Sequence, residues 1–275
     1  MIKTKTVSRV LVFLFMGLFA LIFIFPFYAM IMMSTYSTAQ LFRGLRLVPG
    51  DHFATNVRTL LNTVNFYRMY LNSLYLAIVG PALSVFVSAM GGYALGVYNF
   101  KGKKILMGLI LTTLMIPGQI AIVGIVMQAF AMGIGDTHLH LILLGIPSAF
   151  GIFWMASFSK QSIPNSVLES AFIDGSSDFN TFIRIGLPFL RPACGTLFLL
   201  AFLGSWNSFL MPTILLSTPE LFTLPIGIRL LANTFGTDIG AQLAGLVLGT
   251  FPILFVLTFF SKTLIQGLSA SAVKE

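Results

Sequence analysis

The chain has 275 residues, of which 57% are hydrophobic and 9% charged, and its mean hydropathy is +0.94. A soluble domain of that length does not carry so few charges, so composition alone makes this an integral membrane protein. The single cysteine, Cys194, excludes an internal disulfide and a thiolate metal site, while the net charge of +8 is scattered through loops, which argues against nucleic acid.

Lys3, Lys5 and Arg9 precede an apolar run over 10–33 that is too long for a signal-peptide core and has no clear small-x-small cleavage site behind it, so it reads as a retained first span. Five further runs reach the ~20 residues needed to cross hydrocarbon. They lie at 71–97, 105–132, 139–158, 194–216 and 243–264. Six spans put both termini on one side. A cytoplasmic N-terminus places Lys3, Lys5, Arg9, Lys101, Lys103, Lys104, Lys160, Arg184, Arg191, Lys262 and Lys274 inside, against Arg43, Arg46, Arg58, Arg68 and Arg229 outside, which favours that orientation.

Each expected span carries one proline: Pro26, Pro81, Pro117, Pro147, Pro212 and Pro252. A proline removes a backbone hydrogen bond and kinks its helix, which lipid tolerates when neighbours satisfy the freed carbonyl. In the second span Ser84, Ser88, Gly92 and Gly96 recur every four residues, and Gly245 and Gly249 repeat the device in the last. Such stripes let another helix approach closely and indicate a helix bundle.

The segment 160–192 lies between the fourth and fifth spans and holds three of the eight acidic residues: Glu169, Asp174 and Asp178. Pro164 and an S-x-x-E capping box, Ser166 with Glu169, predict a short helix to about Ile173. Gly175 then stands where a left-handed residue is needed, Ser176 or Ser177 can cap a second helix starting at Asp178, and Pro188 is expected to end it. The pattern is helix, tight turn, helix, outside the bilayer.

Glu169, Ala171, Asp174, Gly175, Phe182, Ile185, Leu187, Pro188 and Pro192 stand in the order and spacing of the EAA loop of ABC importer permeases, with Ser170 and Ser176 in place of small alanines. Asn72-Ser73-Leu74, Gly92-Tyr93-Ala94, Met115-Ile116-Pro117-Gly118-Gln119, Trp206-Asn207-Ser208-Phe209-Leu210 and Leu224-Pro225-Ile226-Gly227 extend the resemblance to sugar-type permeases over most of the chain. The resemblance implies an ATPase-coupling role for Glu169, Ala171, Asp174, Gly175, Leu187 and Pro188. It also implies a homologous second permease, two ABC ATPase subunits and an extracytoplasmic sugar-binding protein as partners, in the plasma (inner) membrane of a prokaryote. At the C-terminus the resemblance weakens: Ser261-Lys262 replace Q-R, and Ser271 and Glu275 replace glycines of the maltose-type tail, although Gly267, Leu268, Ala270, Val273 and Lys274 fit.

No G-x-x-x-x-G-K-[ST] phosphate loop is present, so ATP-derived work must come from a partner and no cofactor is expected. His138 and His140 form an H-x-H with only Asp136 nearby, one firm ligand short of a metal site. The spans hold essentially no ionisable residue away from their ends, which weakens an ion-coupled secondary carrier for a neutral polar solute, the competing reading. The neutral polar residues that remain, Asn72, Gln119, Gln128, Trp206, Asn207 and Ser208, could hydrogen-bond hydroxyls and stack a sugar face. Bonds between helices account for such residues equally well. The expected architecture is therefore all-α: one polytopic transmembrane permease domain over 1–275, surrounded by membrane lipid, with a cytoplasmic helix-turn-helix loop.

Overall fold

A computed structural model describes the backbone at residues 2–231 and 238–272 and the side chains at residues 11–231 and 238–261. The readings that rest on Lys3, Lys5 and Arg9 and on the tail beyond Ser261 concern side chains outside the described residues. The described chain is helical without strands. In order it forms α1 (Ile2–Met33), α2 (Thr38–Leu41), α3 (Phe53–Thr63), α4 (Phe66–Val97), α5 (Lys103–Leu114), α6 (Ile122–Ala131), α7 (His138–Gly145), α8 (Ala149–Ser162), α9 (Asn165–Ile173), α10 (Asp178–Thr181), α11 (Leu187–Trp206), α12 (Leu210–Leu215), α13 (Leu224–Leu230) and α14 (Ile239–Ala272).

Five stretches are long and apolar enough to cross a membrane: Leu11–Met33, Phe66–Val97, His138–Ser162, Asp178–Trp206 and Ile239–Ser261. A sixth arises if α5 and the stretch Gly118–Ala131 are taken together, although their axes bend by 87°. The third span expected over 105–132 with a kink at Pro117 is thus corrected to a broken one. Pro117 is extended (φ −60°, ψ 120°) and the chain re-enters helix only through a 3₁₀ turn at Gly118–Ala121, because proline supplies no N–H and pushes the residue before it out of the helical region.

The fifth span also differs from expectation. It does not begin at residue 194 and run to 216; the helix starts at Asp178 and stops at Trp206. Pro188 does not end it. A π turn, Phe182–Gly186, stands directly before that proline, and Leu187 N–H reaches back to the Phe182 carbonyl. The wider turn moves the preceding carbonyls away from the pyrrolidine ring, which lets the helix continue. Pro212 accordingly falls in short α12, and Pro188 and Pro192 are the prolines inside the fifth long helix. Pro26, Pro81 and Pro252 lie inside α1, α4 and α14 as expected, and Pro147 separates α7 from α8.

The chain forms two compact units, Met1–Tyr67 with Gly227–Phe251, and Arg68–Ile226 with Pro252–Glu275. In the first, the buried Asn56 amide of α3 donates to the Ser34 and Tyr36 carbonyls at 2.8 and 2.9 Å. Ser37 and Gln40 close a capping box on α2. Asp238 accepts from Ala241 N–H and from the Thr38 hydroxyl, capping α14. These bonds satisfy backbone groups that would otherwise be orphaned at helix ends.

In the second unit α4 lies directly against α8. A Cβ built on Gly92 would strike Met155 Cβ and come within 2.7 Å of Ala156 N; one on Gly96 would come within 2.9 Å of the Ala156 carbonyl; one on Gly151 would strike the Ser88 hydroxyl. The Ser84 hydroxyl donates to the Ile146 carbonyl at the α7–α8 break. The small-residue stripe is therefore a seam inside the unit. Below it a core forms from Val85, Ala89, Tyr93, Met155, Phe158, Ile163, Leu168, Phe182, Leu190, Ala193 and Leu197.

Candidate functional site

Two features of the second unit present chemistry: the turn between α9 and α10, and a cavity between α4, α7 and the end of α11. The turn forms as its residues dictate. Ser176 N–H bonds the Ala171 carbonyl and Gly175 N–H that of Phe172, the paired bonds of a Schellman motif, with Gly175 at φ +74°. The Ser177 hydroxyl then accepts from Asn180 N–H and caps α10. Ser176 Oγ receives the Thr181 hydroxyl at 2.9 Å and the Asn180 amide at 3.2 Å, tying the turn to the helix it opens.

One local expectation fails. Pro164 occupies the N-cap position of α9, and Ser166 and Glu169 form no capping box. Ser166 is already inside the helix, where its carbonyl accepts the Ser170 hydroxyl. Glu169 is thereby left fully available: it is exposed and makes no ion pair among the described residues. Asp174, Gly175 and Pro188 are exposed too, whereas Ala171 is buried and Leu187 packs against the core, so these two seat the loop. Phe172, Ile173 and Phe179 flank the turn in the open, Ile173 being 86% exposed. The sequence reading missed that apolar rim, although three large apolar residues around an acidic turn were its signal.

The cavity has a volume of about 300 Å³ and is lined by Ser73, Ser205, Ser208 and Thr223 among glycine, proline and aliphatic side chains. Thr223 is 3% exposed and its hydroxyl has no hydrogen-bond partner among the described residues. Of the six polar residues picked from sequence, Ser208 alone lines it. Asn72 instead donates to the Glu220 and Phe222 carbonyls at 2.8 and 2.9 Å, and Trp206 is buried, stacked on Phe202 and edge-on to Tyr70. Asn207 bonds the Leu203 carbonyl within its own helix end; Gln119 and Gln128 are exposed on the broken pair. Ser73 stood within a motif and Ser205 beside one, but both were passed over because a hydroxyl is a weaker signal than an amide.

The loop that holds Asn72's partners is fastened on its other side by Asp136. That residue adopts φ 55°, and its carboxylate accepts from the Thr218 hydroxyl at 2.7 Å and from the Ser217 and Thr218 amides. The Thr218 hydroxyl first, then the two amides, hold its carboxyl below the usual carboxylate range. His138 Nε2 lies 2.7 Å from the Leu221 carbonyl and must carry the proton there. Among the described residues, His140 is buried with neither ring nitrogen bonded and no three metal-type ligands converge.

The family described as the binding-protein-dependent transport system inner membrane component matches residues 88–270. The chain belongs to that family. It is 32% identical over 273 residues to the arabinooligosaccharides transport system permease protein AraQ of Bacillus subtilis (strain 168), covering 98% of this chain and 97% of that one. It is 29% identical to the lactose transport system permease protein LacG of Rhizobium radiobacter, covering 93% of each. Its fold is that of a bacterial ABC transporter involved in the import of the acidic polysaccharide alginate, with a TM-score of 0.80, 20% identity, and coverage of 94% of this chain and 97% of the other. A second structure of an alginate transporter, in complex with an alginate pentasaccharide-bound periplasmic protein, aligns with a TM-score of 0.61 at 17% identity over 94% of both chains. This transport component is thus a multi-pass permease subunit, and ATP hydrolysis belongs to separate subunits.

Proposed function

We propose that this chain is one of two membrane halves of an ATP-driven importer for a neutral sugar or oligosaccharide, docked to a cytoplasmic ATPase through the α9–α10 turn. The observation that carries the reading is that turn: a rigid Schellman corner that exposes Glu169, Asp174 and an apolar rim, and whose second helix continues without a stop to Trp206. Carboxylates beside apolar side chains suit a partly buried protein interface, where a charge-assisted bond fixes register and apolar burial supplies affinity. Closure of the ATPase dimer would displace the turn and shift the population of inward- and outward-open states. Relatives named for arabinooligosaccharides and lactose support a carbohydrate cargo. The hydroxyls of Ser73, Ser205, Ser208 and Thr223 suit such a cargo, as do the exposed amides of Gln119, Gln128 and Asn207 on a pathway completed by a second, homologous permease. An extracytoplasmic binding protein would deliver it.

The test is uptake into proteoliposomes of labelled lactose or arabino-oligosaccharide. With this chain alone no uptake and no ATP hydrolysis are expected, and both should appear on adding the second permease, the ATPase and the binding protein. Uptake by the lone chain on a sodium or proton gradient would overturn the importer and establish a secondary carrier.

The reading also implies a topology, with both termini and the α9–α10 turn cytoplasmic and His138 outside. In a Cys194→Ala background, Ser176→Cys is expected to resist an impermeant maleimide in intact cells, while His138→Cys reacts. Labelling at residue 176 would reverse the orientation.

A further inference from the structure

A loop that docks to a moving partner delivers its displacement only if the segment joining it to the membrane helices does not bend. Here that segment holds its own weak point. The π turn Phe182–Gly186 has the longer, poorer hydrogen-bond rings at which a helix flexes or kinks.

What surrounds the π turn is close-fitting. Gly186 lies against the Tyr93 ring so closely that a Cβ there would stand 2.7 and 2.8 Å from two ring carbons. Phe182, buried at the other end of the turn, meets the Tyr93 ring at 5.3 Å and Phe86 at 6.1 Å between centroids. Both aromatic partners belong to α4. Just beyond the end of α4, the Tyr98 hydroxyl donates to Asp178 Oδ1 at 3.0 Å, joining α4 to the first residue of α10, and Tyr98 meets Tyr93 edge-on. Lys103 Nζ in turn holds the Tyr98 carbonyl at 2.8 Å. Burial first, then the neighbouring Tyr93 and the bond to Asp178, push the Tyr98 hydroxyl above its ordinary value, which keeps its proton on the oxygen that donates to Asp178.

We propose that the π turn, seated on Tyr93 and pinned by the Tyr98–Asp178 hydrogen bond, is the joint that makes the α9–α10 turn, α11 and the adjoining end of α4 move as one body. Tyr93, Tyr98, Asp178 and Gly186 are then positioning residues for transport. They touch neither cargo nor nucleotide and act by keeping a flexible turn from absorbing the stroke. The assignment rests on the reading of the turn as an ATPase dock.

The experiment uses the complete importer in proteoliposomes and reads three quantities: ATPase co-purification, ATP hydrolysis, and labelled sugar taken up per ATP hydrolysed. In Tyr98→Phe and Asp178→Ala the ATPase should remain bound and hydrolyse ATP at the parental rate while sugar per ATP falls about fivefold, the scale of one hydrogen bond. Asp178→Asn keeps an acceptor oxygen and should retain most of the ratio. Gly186→Ala, which forces the Tyr93 ring aside, should lower the ratio further; if it does not assemble, the Tyr98 and Asp178 variants decide. An unchanged ratio in Tyr98→Phe and Asp178→Ala, or an Asp178→Asn that falls as far as Asp178→Ala, overturns the joint. If Glu169→Ala and Gly175→Val also transport at the parental rate, the docking reading falls with it. If those two fail while the joint variants keep their ratio, the joint alone is wrong.

Discussion

Replacing Gly175 by valine is expected to leave the protein inserted in the membrane and to reduce uptake by about fivefold or more, the effect of ~1–3 kcal/mol of backbone strain at a position that sets the aim of a helix. Beyond its chain neighbours nothing lies within 4 Å of a Cβ built there, so the Cβ itself meets no obstacle. The cost comes from φ +74°, which a β-branched residue resists. Relaxing that angle breaks the two Schellman bonds from Gly175 and Ser176 and swings α10 away from α9. Asparagine visits the left-handed region readily, so Gly175→Asn should keep most of the activity. Equal losses in the valine and asparagine variants would show that φ is not the reason. Glu169→Ala should give a comparable loss by other physics, since its carboxylate is exposed and unpaired among the described residues and the change leaves the fold untouched. Co-purification of the ATPase with uptake is the measurement; retention of both in Glu169→Ala and Gly175→Val would reduce the loop to a connector.

The second large effect belongs to the α4–α8 seam. Gly92→Val would drive its Cβ into Met155 and the Ala156 backbone, and backbone cannot swing aside as a side-chain tip can. A loss of roughly 3 kcal/mol, the upper part of the usual range for overpacking, is expected in the thermal stability of the detergent-solubilised protein. The neighbouring glycine supplies the control. A Cβ on Gly91 would meet Ile152 side-chain atoms at 3.7–3.9 Å, an ordinary contact, so Gly91→Ala should be neutral or gain up to ~1 kcal/mol from helix propensity. Matching losses at the two positions would mean that helix approach is not what the stripe serves.

Hydropathy made the long helices legible because a bilayer admits few solutions, and Asp174-Gly175-Ser176-Ser177 made the turn legible because each residue type has one favoured place in it. The 87° break at Pro117 was hidden, since the residues on both sides stay apolar and proline alone does not tell a kink from a break. Pro188 misled in the opposite sense: it reads as a helix stop, and only the π turn before it shows how the helix passes through. The cavity was the least legible part. Whether an amide such as that of Asn72 faces a cargo or fastens a loop depends on the carbonyls of Glu220 and Phe222, nearly 150 residues away in sequence, and no local pattern encodes that meeting.

The π turn also sets a counting rule for evolution and for engineering. It holds one residue more than an α-helical turn needs, since Leu187 N–H reaches the Phe182 carbonyl five residues back rather than four, so deleting a residue between Phe182 and Gly186 would restore regular helix and leave everything on its far side in its present phase. The docking turn thus keeps its phase with the membrane helices at two residue counts, this one and one residue fewer, whereas any other count turns it by ~100° per residue about the α11 axis. Loops exchanged between importers could therefore differ by that one residue across this segment, because the π turn absorbs it, but a further residue gained or lost would present the Glu169 carboxylate to the wrong side.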